Sequence, residues 1–423
     1  MGASSYLISG AVIWTGRDEE PFRGDVLVRD ERIAKVSRTP GELAGSDARV
    51  IDAGDGMTLM PGLVEGHAHL SFPNAVNLPS IGDIPPEEHT LITMHNARTL
   101  LDHGFTSAVS AGSAKVRLDV VVRNEIAAGR IPGPRLMAAG PEISVTGNLG
   151  DERLLHNDGR RSVGLTADGP DEFQRLTRTL CREGVDTIKL NVSGNLGSPA
   201  GSSMTVITDA EMAAACDAAR SFGRRVAAHA RSDESIHRCI RHGVTMIYHC
   251  DFASEETLEL LATHRDEIFL GPAVGLTYNS IYEASAWGLT EEKAKASGLM
   301  AQFTSLCGVY RRARELGIRV LIGGDYGLAW TPQGTNARDL MHFVNLFGYS
   351  NHEALVAATR HGGEAMAAAG VKVGLVEEGY RADLLLVRGR PFEDVTLLQD
   401  AERLAMIMQD GRPRHLDVDE HAA

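Results

Sequence analysis

The chain has 423 residues, a formal net charge of −14, and 43% hydrophobic and 23% charged residues. This length supports one large domain with an appendage, or two to three domains. The negative charge argues against a nucleic-acid or anionic-membrane partner, because both favour basic protein surfaces. No stretch approaches 18 unbroken apolar residues, so we expect no membrane-spanning helix. Five scattered cysteines without C-x-x-C spacing predict reduced thiols and a cytoplasmic protein: Cys181, Cys216, Cys239, Cys250 and Cys307.

Both ends of the chain are predicted to be β structure. Tyr6–Thr15 is rich in β-forming residues, and GDVLVRDERIAKVS (24–37) alternates around a polar turn at Asp30-Glu31, as a hairpin does. Near the C-terminus, ADLLLVRG (382–389) and RLAMIMQDGRP (403–413) are short β runs bounded by glycine and proline. Strands at opposite ends of a chain predict one small sheet domain built from both termini.

Between these ends, short apolar strands alternate with segments of helical periodicity. Eight strands in βα alternation are typical of a (β/α)8 TIM-type barrel. The sequence therefore predicts an α/β protein with sandwich residues 1–61, a barrel at 62–371, and further sandwich residues at 372–423, where the polar tail from Arg412 onward is expected to fray. The eight predicted strands are LVEGHAHL, FTSAVSAG, PRLMAAG, TIKLNV, RVAAHA, MIYHCD, IFLGPAV and RVLIGGD.

Metal-binding side chains cluster at the C-terminal ends of these strands, where barrel enzymes place their chemistry. Residues i and i+2 of a strand point to the same side, so two histidines in H-x-H spacing can reach one metal. A single strand-end histidine is more often a hydrogen-bonded core residue, but a set on five strands is hard to explain in that way. The set comprises His67 and His69 on the first strand, Lys189 on the fourth, His229 on the fifth, His249 on the sixth and Asp325 on the eighth.

This pattern resembles the metal-dependent amidohydrolase superfamily, over nearly the whole chain. The matching stretches are PGLVEGHAH (61–69), DTIKLNV, VAAHA, IYHCD and IGGDYG. The chain is most similar to the prolidase-type branch of Xaa-dipeptidases and carboxypeptidases. The stretches GGDYGLAWTPQGTNARDL and YHCDFASEETLELL also resemble relatives that hydrolyse ochratoxin-type amides, phenylureas and thiocarbamates. The resemblance implies the barrel, the split β-sandwich and a homo-oligomer.

The resemblance also implies a binuclear centre. Imidazole and carboxylate suit Zn²⁺ and other divalent metals. His67, His69 and Asp325 would hold a first metal, and His229 and His249 a second. Two neighbouring cations repel each other, so an anion must bridge them. Lys189, as a neutral amine between cations, can react with CO2 to give a bridging carbamate (N6-carboxylysine); a buried amine paired with a carboxylate remains the alternative.

The expected reaction is metal-dependent hydrolysis of an amide-type C–N bond by a hydroxide between the metals. The substrate would be a dipeptide, an N-acyl amino acid or a related small amide, with Asp325 accepting the water's proton and passing it to the departing amine. The alternative substrates are xenobiotic amides, phenylureas and (thio)carbamates. A cyclic amidase, a deaminase and a non-catalytic scaffold are less expected. Deaminases of this fold carry a glutamate where this chain has Ser232, and a scaffold would have lost ligands.

Substrate contacts are harder to predict. Arg231, just beyond His229, could pair with a substrate carboxylate, or with Asp233 or Glu234. The Gly- and Ser-rich stretches PEISVTGNLGDERLLHNDG and SGNLGSPAGSSM could be lids or passive surface loops. Half-polar aromatic residues could line a pocket or donate to an oxyanion, although simple packing explains each equally well. These candidates are Tyr248, Tyr278, Trp287, Tyr326 and Trp330.

Overall fold

The structure, a computed structural model, describes residues 5–17, 20–54, 56–151, 162–367 and 370–422. The strands are β1 Ser5–Ile13, β2 Phe22–Arg29, β3 Arg32–Ser37, β4 Arg49–Asp52, β5 Met57–Pro61, β6 Leu63–Ala68, β7 Phe105–Ser110, β8 Arg135–Met137, β9 Ile143–Ser144, β10 Leu165–Thr166, β11 Thr187–Asn191, β12 Arg225–Ala230, β13 Met246–His249, β14 Phe269–Gly271, β15 Leu384–Arg388, β16 Leu404–Gln409, β17 Arg412–Leu416 and β18 Glu420–Ala422. The α-helices are α1 Leu78–Gly82, α2 Pro86–Asp102, α3 Leu118–Ala127, α4 Pro170–Glu183, α5 Asp209–Ser221, α6 Asp233–Arg241, α7 Glu255–Thr263, α8 Val274–Tyr282, α9 Glu291–Ala296, α10 Leu299–Glu315, α11 Arg338–Phe347, α12 Asn351–Val356 and α13 Gly362–Met366. Short 3-10 turns occupy Ser285–Trp287, Val395–Gln399 and Ala401–Arg403, and a π-helical turn occupies Ala357–His361.

Both ends of the chain contribute to one nine-stranded sheet. Its order is β17-β16-β15-β5-β1-β2-β3, and β4 pairs with β1 and β18. The N-terminal strand β5 runs antiparallel to the C-terminal strand β15, with Met60 opposite Leu385. Apolar side chains from both ends, including Ile13 and Met406, share one buried cluster. The two termini therefore meet in one sheet, whereas a two-layered sandwich stays a prediction.

The predicted hairpin near the N-terminus is confirmed. Strands β2 and β3 pair antiparallel, and Arg29 lies opposite Arg32 beside the turn. Asp30 takes a left-handed conformation there, with φ of 52°, which aspartate tolerates better than most residues.

The prediction of a fraying tail is wrong. The tail residues from Arg412 form β17, which pairs with β16, and β18, which pairs with β4. Main-chain hydrogen bonds hold these strands at the sheet margin, and the Arg388 guanidinium donates to the Asp417 carbonyl. The polar composition of the tail thus reflects its exposed position and not a lack of structure.

The central part of the chain alternates parallel strands with helices. One sheet has the order β6-β7-β8 and the other has the order β10-β9-β11-β12-β13-β14, with parallel pairing throughout. The strands carrying candidate ligands are buried along almost their whole length, as expected for parallel sheets covered by helices. Seven of the eight predicted strands are therefore present. In the described part of the chain, no helix combines the length and apolarity needed to cross a bilayer.

The eighth predicted strand, RVLIGGD, is not a regular strand. Val320 makes an isolated parallel bridge to Leu270, and Ile322 O accepts a hydrogen bond of 2.9 Å from Gly66 N. The backbone then turns away, because Gly323 has φ of 149° and Asp325 has φ of 61°. A second isolated bridge, Ala139 to Thr187, lies between the two parallel sheets. Closure of all eight strands into one barrel stays a prediction.

Candidate active site

His67, His69 and Asp325 come together although they are far apart in the sequence. Asp325 Oδ1 lies 3.2 Å from His69 Nε2 and 3.9 Å from His67 Nε2. Ligand atoms of these three residues all lie within 4.8 Å of one another, and both imidazoles are buried. Two imidazoles and a carboxylate at this spacing can hold a divalent metal ion.

Two glycines allow this approach. A Cβ on Gly66 would lie 2.6 Å from Ile322 O, and a Cβ on Gly323 would lie 2.5 Å from Glu65 Oε1. Any larger residue at either position would push apart the strand that carries His67 and the segment that leads to Asp325. The glycines of EGHAH and IGGD therefore serve the close contact between these two segments.

His229 and His249 form a second pair on neighbouring strands. Their ring centroids are 4.4 Å apart, and the His249 ring lies 5.5 Å from that of His67. His249 has φ of 76° and Asp325 has φ of 61°, a left-handed conformation that costs free energy for residues with a side chain. Such strain persists where surrounding contacts impose it, and functional sites are a common location.

The hydrogen bonds of the imidazoles fit metal ligation. His69 Nδ1 lies 3.0 Å from Gly112 O, and His229 Nε2 lies 3.1 Å from Gly194 O. A carbonyl accepts only, so these nitrogens carry protons, and His69 Nε2 and His229 Nδ1 are the ring nitrogens that could bind a metal. Metal-binding histidines are commonly oriented in this way. His249 Nδ1 is buried and has no hydrogen-bond partner among the described residues, which a bound ion would remedy.

The pKa values of three of the four imidazoles also fit metal ligation. Burial lowers the pKa of His67, His229 and His249 well below the usual histidine value, so these rings are neutral, as metal ligands must be. For His69, burial opposes the charged form, but the hydrogen bond and charge of Asp325 outweigh it and raise the pKa.

Asp325 shows the opposite balance. Burial by itself would raise its pKa, but the neighbouring His67, His69 and Lys189 hold the pKa far below the usual carboxyl range. The group is therefore an ionised carboxylate throughout the range in which proteins fold.

Lys189 is buried on β11. Its Nζ lies 3.2 Å from Glu142 Oε1 and donates to Ala111 O at 3.1 Å. It also lies 5.0 Å from the centre of the Tyr248 ring. As an unmodified amine, Lys189 thus has the carboxylate partner of the alternative interpretation, and its carboxylation stays a prediction.

A cavity of about 120 Å³ opens over the candidate ligands. His67, His69, Lys189, His229, His249 and Asp325 all line it, so the structure brings together the six predicted metal-site residues. Its polar lining also includes Glu142, Asn195 and Arg231. Its apolar walls are Phe72, Leu78, Leu149, Val163, Leu276 and Leu328.

Arg231 pairs with Asp251, and not with Asp233 or Glu234. Its Nη1 donates to Asp251 Oδ2, which also accepts from Gln302 Nε2 at 2.7 Å. Arg231 is two residues beyond His229 and points to the same side, whereas Asp233 and Glu234 begin helix α6. Arg231 Nε is buried without a hydrogen-bond partner among the described residues.

The five aromatic candidates lie outside the lining of the cavity. Tyr248 donates its hydroxyl to Gly66 O at 2.8 Å, and Tyr326 donates its hydroxyl to Asp339 Oδ1 at 3.0 Å. Both tyrosines are buried, so their hydroxyls serve the structure beneath the ligands. A substrate contact by either residue is not supported by this arrangement.

The other three aromatic residues pack against rings outside the cavity lining. Tyr278 packs against His342, with ring centroids 4.6 Å apart, and Trp287 lies 6.0 Å from Trp330. The Trp330 indole donates to Ser280 Oγ at 2.8 Å. Aromatic content in a loop gives no direction to the side chains, which explains why the sequence did not separate packing from pocket lining.

Sequence reasoning missed Glu142. It follows the third predicted strand by two residues, and its Oε2 accepts from Asn191 Nδ2 at 2.7 Å. The rule that strand ends carry the chemistry would have found it, had it been applied to the third strand. Glu142 lies in the first predicted lid stretch (141–159). Residues 143–144 of that stretch pair with residues 165–166 as short strands, and its residues 152–159 are outside the described residues.

Comparisons with known proteins identify the family of the chain. The family profile described as "Amidohydrolase family" matches residues 58–414. An ochratoxinase of Aspergillus niger is 24% identical over 419 residues, which cover 93% of this chain and 84% of that protein. A solved amidohydrolase superposes with a TM-score of 0.86 at 27% identity, covering 98% of this chain and 100% of the other. A Xaa-Pro dipeptidase structure with bound methionine has a TM-score of 0.85 at 23% identity, with 97% and 100% covered. The predicted resemblance is confirmed, and the chain belongs to the amidohydrolase family as an enzyme that acts on amide-type C–N bonds.

Proposed function

We propose that the protein hydrolyses the amide bond of a dipeptide, an N-acyl amino acid or a related small amide. The observation that carries this proposal is the convergence of four imidazoles, a lysine and an ionised aspartate on one small cavity. The dipeptidase and ochratoxinase similarities support cleavage of a linear amide bond.

The ligand set is proposed to hold two divalent cations. His67, His69 and Asp325 would bind one, and His229 and His249 the other, with Zn²⁺ suited to these nitrogen and oxygen donors. Bound divalent cations polarise a scissile carbonyl and make water acidic enough to yield a nucleophile near neutral pH. The protonated ring nitrogens of His69 and His229 keep these imidazoles oriented through the carbonyls of Gly112 and Gly194.

Asp325 is proposed as the general base. Its carboxylate is ionised and held beside His69, so it can accept a proton from the attacking water. The same proton then passes to the departing amine nitrogen, which leaves as a neutral amine. Asp325 would thus both bind the first cation and move the proton.

Lys189 is proposed to carry a carbamate. As an ammonium ion it would place a positive charge among the cation ligands, which opposes metal binding. Carboxylation replaces that charge with an anion that two cations can share. Its buried position on the lining of the same cavity as the four imidazoles supports this assignment.

The cavity lining limits the substrate to a small molecule with a charged and an apolar part. Arg231 is proposed to face a substrate carboxylate, since it lines the cavity and keeps an unpartnered Nε. The six apolar wall residues suit a hydrophobic side chain. They also favour a second candidate, a xenobiotic amide, phenylurea or (thio)carbamate with an aromatic or aliphatic group.

We also propose that the parallel strands close into one eight-stranded barrel and that the nine-stranded sheet forms a split sandwich. The bridges Ala139–Thr187 and Leu270–Val320, with the Gly66–Ile322 hydrogen bond, support closure. A cytoplasmic homo-oligomer remains the expected state.

The decisive experiment is a substrate panel. The protein, reconstituted with Zn²⁺ and bicarbonate, is assayed against dipeptides, N-acyl amino acids, phenylureas and carbamates. We expect amide hydrolysis of dipeptides or N-acyl amino acids that is lost on exhaustive chelation and restored by metal. Turnover that survives complete metal removal, or activity confined to ureas and carbamates, would contradict the first candidate.

A further inference from the structure

Glu142 is a charged cavity residue to which the proposed mechanism gives no role. Its carboxylate lines the same cavity as the candidate ligands, and its side chain is only 15% exposed. Oε1 lies 3.2 Å from Lys189 Nζ, and Oε2 accepts from Asn191 Nδ2 at 2.7 Å. Gly112 leaves room for it, because a Cβ there would lie 2.9 Å from Glu142 Cγ. The carboxylate is therefore held in a fixed position.

The partners of Glu142 change when the centre is assembled. If Lys189 becomes a carbamate, Glu142 loses the ammonium group that it contacts among the described residues and keeps the neutral amide of Asn191. A mostly buried carboxylate without a cation is unfavourable. Glu142 does not belong to the three-residue group whose ligand atoms lie within 4.8 Å of one another. The assembled site therefore leaves a fixed anionic group facing the space that a substrate enters.

Arg231 provides the opposite charge on another side of the same cavity. Glu142 contacts Lys189 and Asn191 on β11, whereas Arg231 contacts Asp251, just after β13. Strand β12 separates β11 from β13 in the sheet. The cavity thus has the Glu142 carboxylate over β11 and the Arg231–Asp251 ion pair toward β13, and the imidazoles of β12 and β13 line the same cavity.

We infer that Glu142 receives the free α-ammonium group of the substrate, so that the substrate class is the unblocked, zwitterionic dipeptide. This inference rests on the proposed function, since it needs the carboxylated Lys189. An ammonium group offers three N–H donors and a positive charge to Glu142. An N-acyl group offers one N–H and places a carbonyl oxygen near the carboxylate, which is repulsive. Glu142 therefore selects against N-acylated amino acids.

The test compares an unblocked dipeptide with its N-acetyl derivative, since both contain the same scissile bond. The metal-loaded full chain should cleave the unblocked dipeptide with the higher kcat/KM, by about tenfold or more. Glu142→Gln keeps the size of the side chain and removes its charge. It should lower kcat/KM for the unblocked dipeptide by about tenfold and change that for the N-acetyl derivative by less than about twofold.

A matched control is Glu315→Gln, which removes the same charge from a side chain that is 59% exposed; the preference should be unchanged. Equilibrium binding of an amino-acid amide and of its N-acetyl form, measured by titration calorimetry, gives a readout that does not depend on turnover. The amide should bind more tightly, and Glu142→Gln should remove the difference. Metal content is measured on each variant, and the intact mass of the protein shows whether Lys189 is carboxylated.

Equal efficiency on both substrates, or a preference that Glu142→Gln leaves intact, would overturn the inference while the proposed function stands. Loss of both activities together with metal would assign Glu142 to the metal centre, which also overturns it. If a metal-loaded, carboxylated protein cleaves neither substrate, the proposed function itself fails, and the inference fails with it.

Discussion

Asp325 and Asp339 are two buried carboxyl groups only 14 positions apart, yet their surroundings give them opposite acidities. Asp325 faces His67, His69 and Lys189, and its pKa lies far below the usual range despite burial. Asp339 accepts hydrogen bonds from Gly323 N and the Tyr326 hydroxyl, both at 3.0 Å, and burial raises its pKa to about 7. Burial raises the pKa of Asp339, whereas the imidazole and amine groups beside Asp325 outweigh the same effect and lower its pKa.

The largest effect is expected from removing a ligand that also faces Asp325. His67→Ala or His229→Ala should abolish metal binding and activity together, because a metal site with an open position loses affinity steeply with each lost ligand. Elemental analysis beside kcat measurement checks this. His95→Ala, at an exposed position of α2, is the control and should retain both. A variant that keeps full metal content and full activity would remove these histidines from the centre.

The next effect concerns the carboxylates themselves. Asp325→Asn should lower kcat by about 10²- to 10⁴-fold, since it removes the proposed general base. Asp339 has a pKa of about 7, so near pH 7 its carboxyl group is already protonated in about half of the molecules. Its side chain also does not line the cavity, so Asp339→Asn changes little at the site. It should lower kcat by less than about tenfold, a much smaller loss than for the proposed general base. Similar losses in the two variants would mean that the contrast between the carboxylates has no catalytic meaning.

Lys189→Ala should remove the bridging anion, with loss of the second metal and of most activity. A short carboxylic acid added to the solution should restore part of both, by occupying the vacated space. Lys189→Arg should not be rescued, because arginine fills the space and keeps its charge. An active, metal-loaded protein whose intact mass shows an unmodified Lys189 would instead favour a mononuclear centre.

The smallest effect is a change in the pH dependence of stability. The folded-state pKa of Asp339, about 7, exceeds the ordinary aspartate value of 3.8, so the folded protein binds more protons than the unfolded chain between these pH values. Its contribution therefore makes the free energy of unfolding fall as pH rises from about 4 to about 7. Asp339→Asn should flatten this slope, by about 2 kcal/mol between pH 5 and pH 8. Denaturant unfolding of the metal-free proteins measures it; parallel slopes would contradict the raised pKa.

The candidate ligands were predictable from sequence because they follow a simple rule. Strand ends in a βα repeat meet at one edge, so His67, His229 and His249 could be assigned to one site from their positions alone. Asp325 was also found, although its segment is not a regular strand, since the apolar run before it has the length and composition of one. Its left-handed backbone at φ 61° depends on the packing of Gly323 against Glu65, which no local pattern reveals.

The substrate-facing residues were less predictable. Whether an aromatic side chain lines a cavity or packs beneath it depends on hydrogen bonds to distant backbone, such as that of Tyr248 to Gly66 O. Likewise, Arg231 has Asp251 as its partner because two neighbouring strands bring them together, and proximity in sequence suggested Asp233 instead. The polar tail was misjudged for a similar reason, since strand pairing with β4 and β16 is a long-range property.

The pairing of β5 with β15 links the order of synthesis to the assembly of the site. β5 ends at Pro61, and β6, which carries His67, begins at Leu63. Gly62 N, between them, donates to Asp383 O at 2.9 Å. During translation, β5 and β6 therefore leave the ribosome long before β15, the strand that pairs with β5. Until then β5 presents an unpaired apolar edge, which is open to wrong partners. Productive folding of this enzyme should thus be late and largely post-translational, and its yield should depend on protection of that edge by a chaperone.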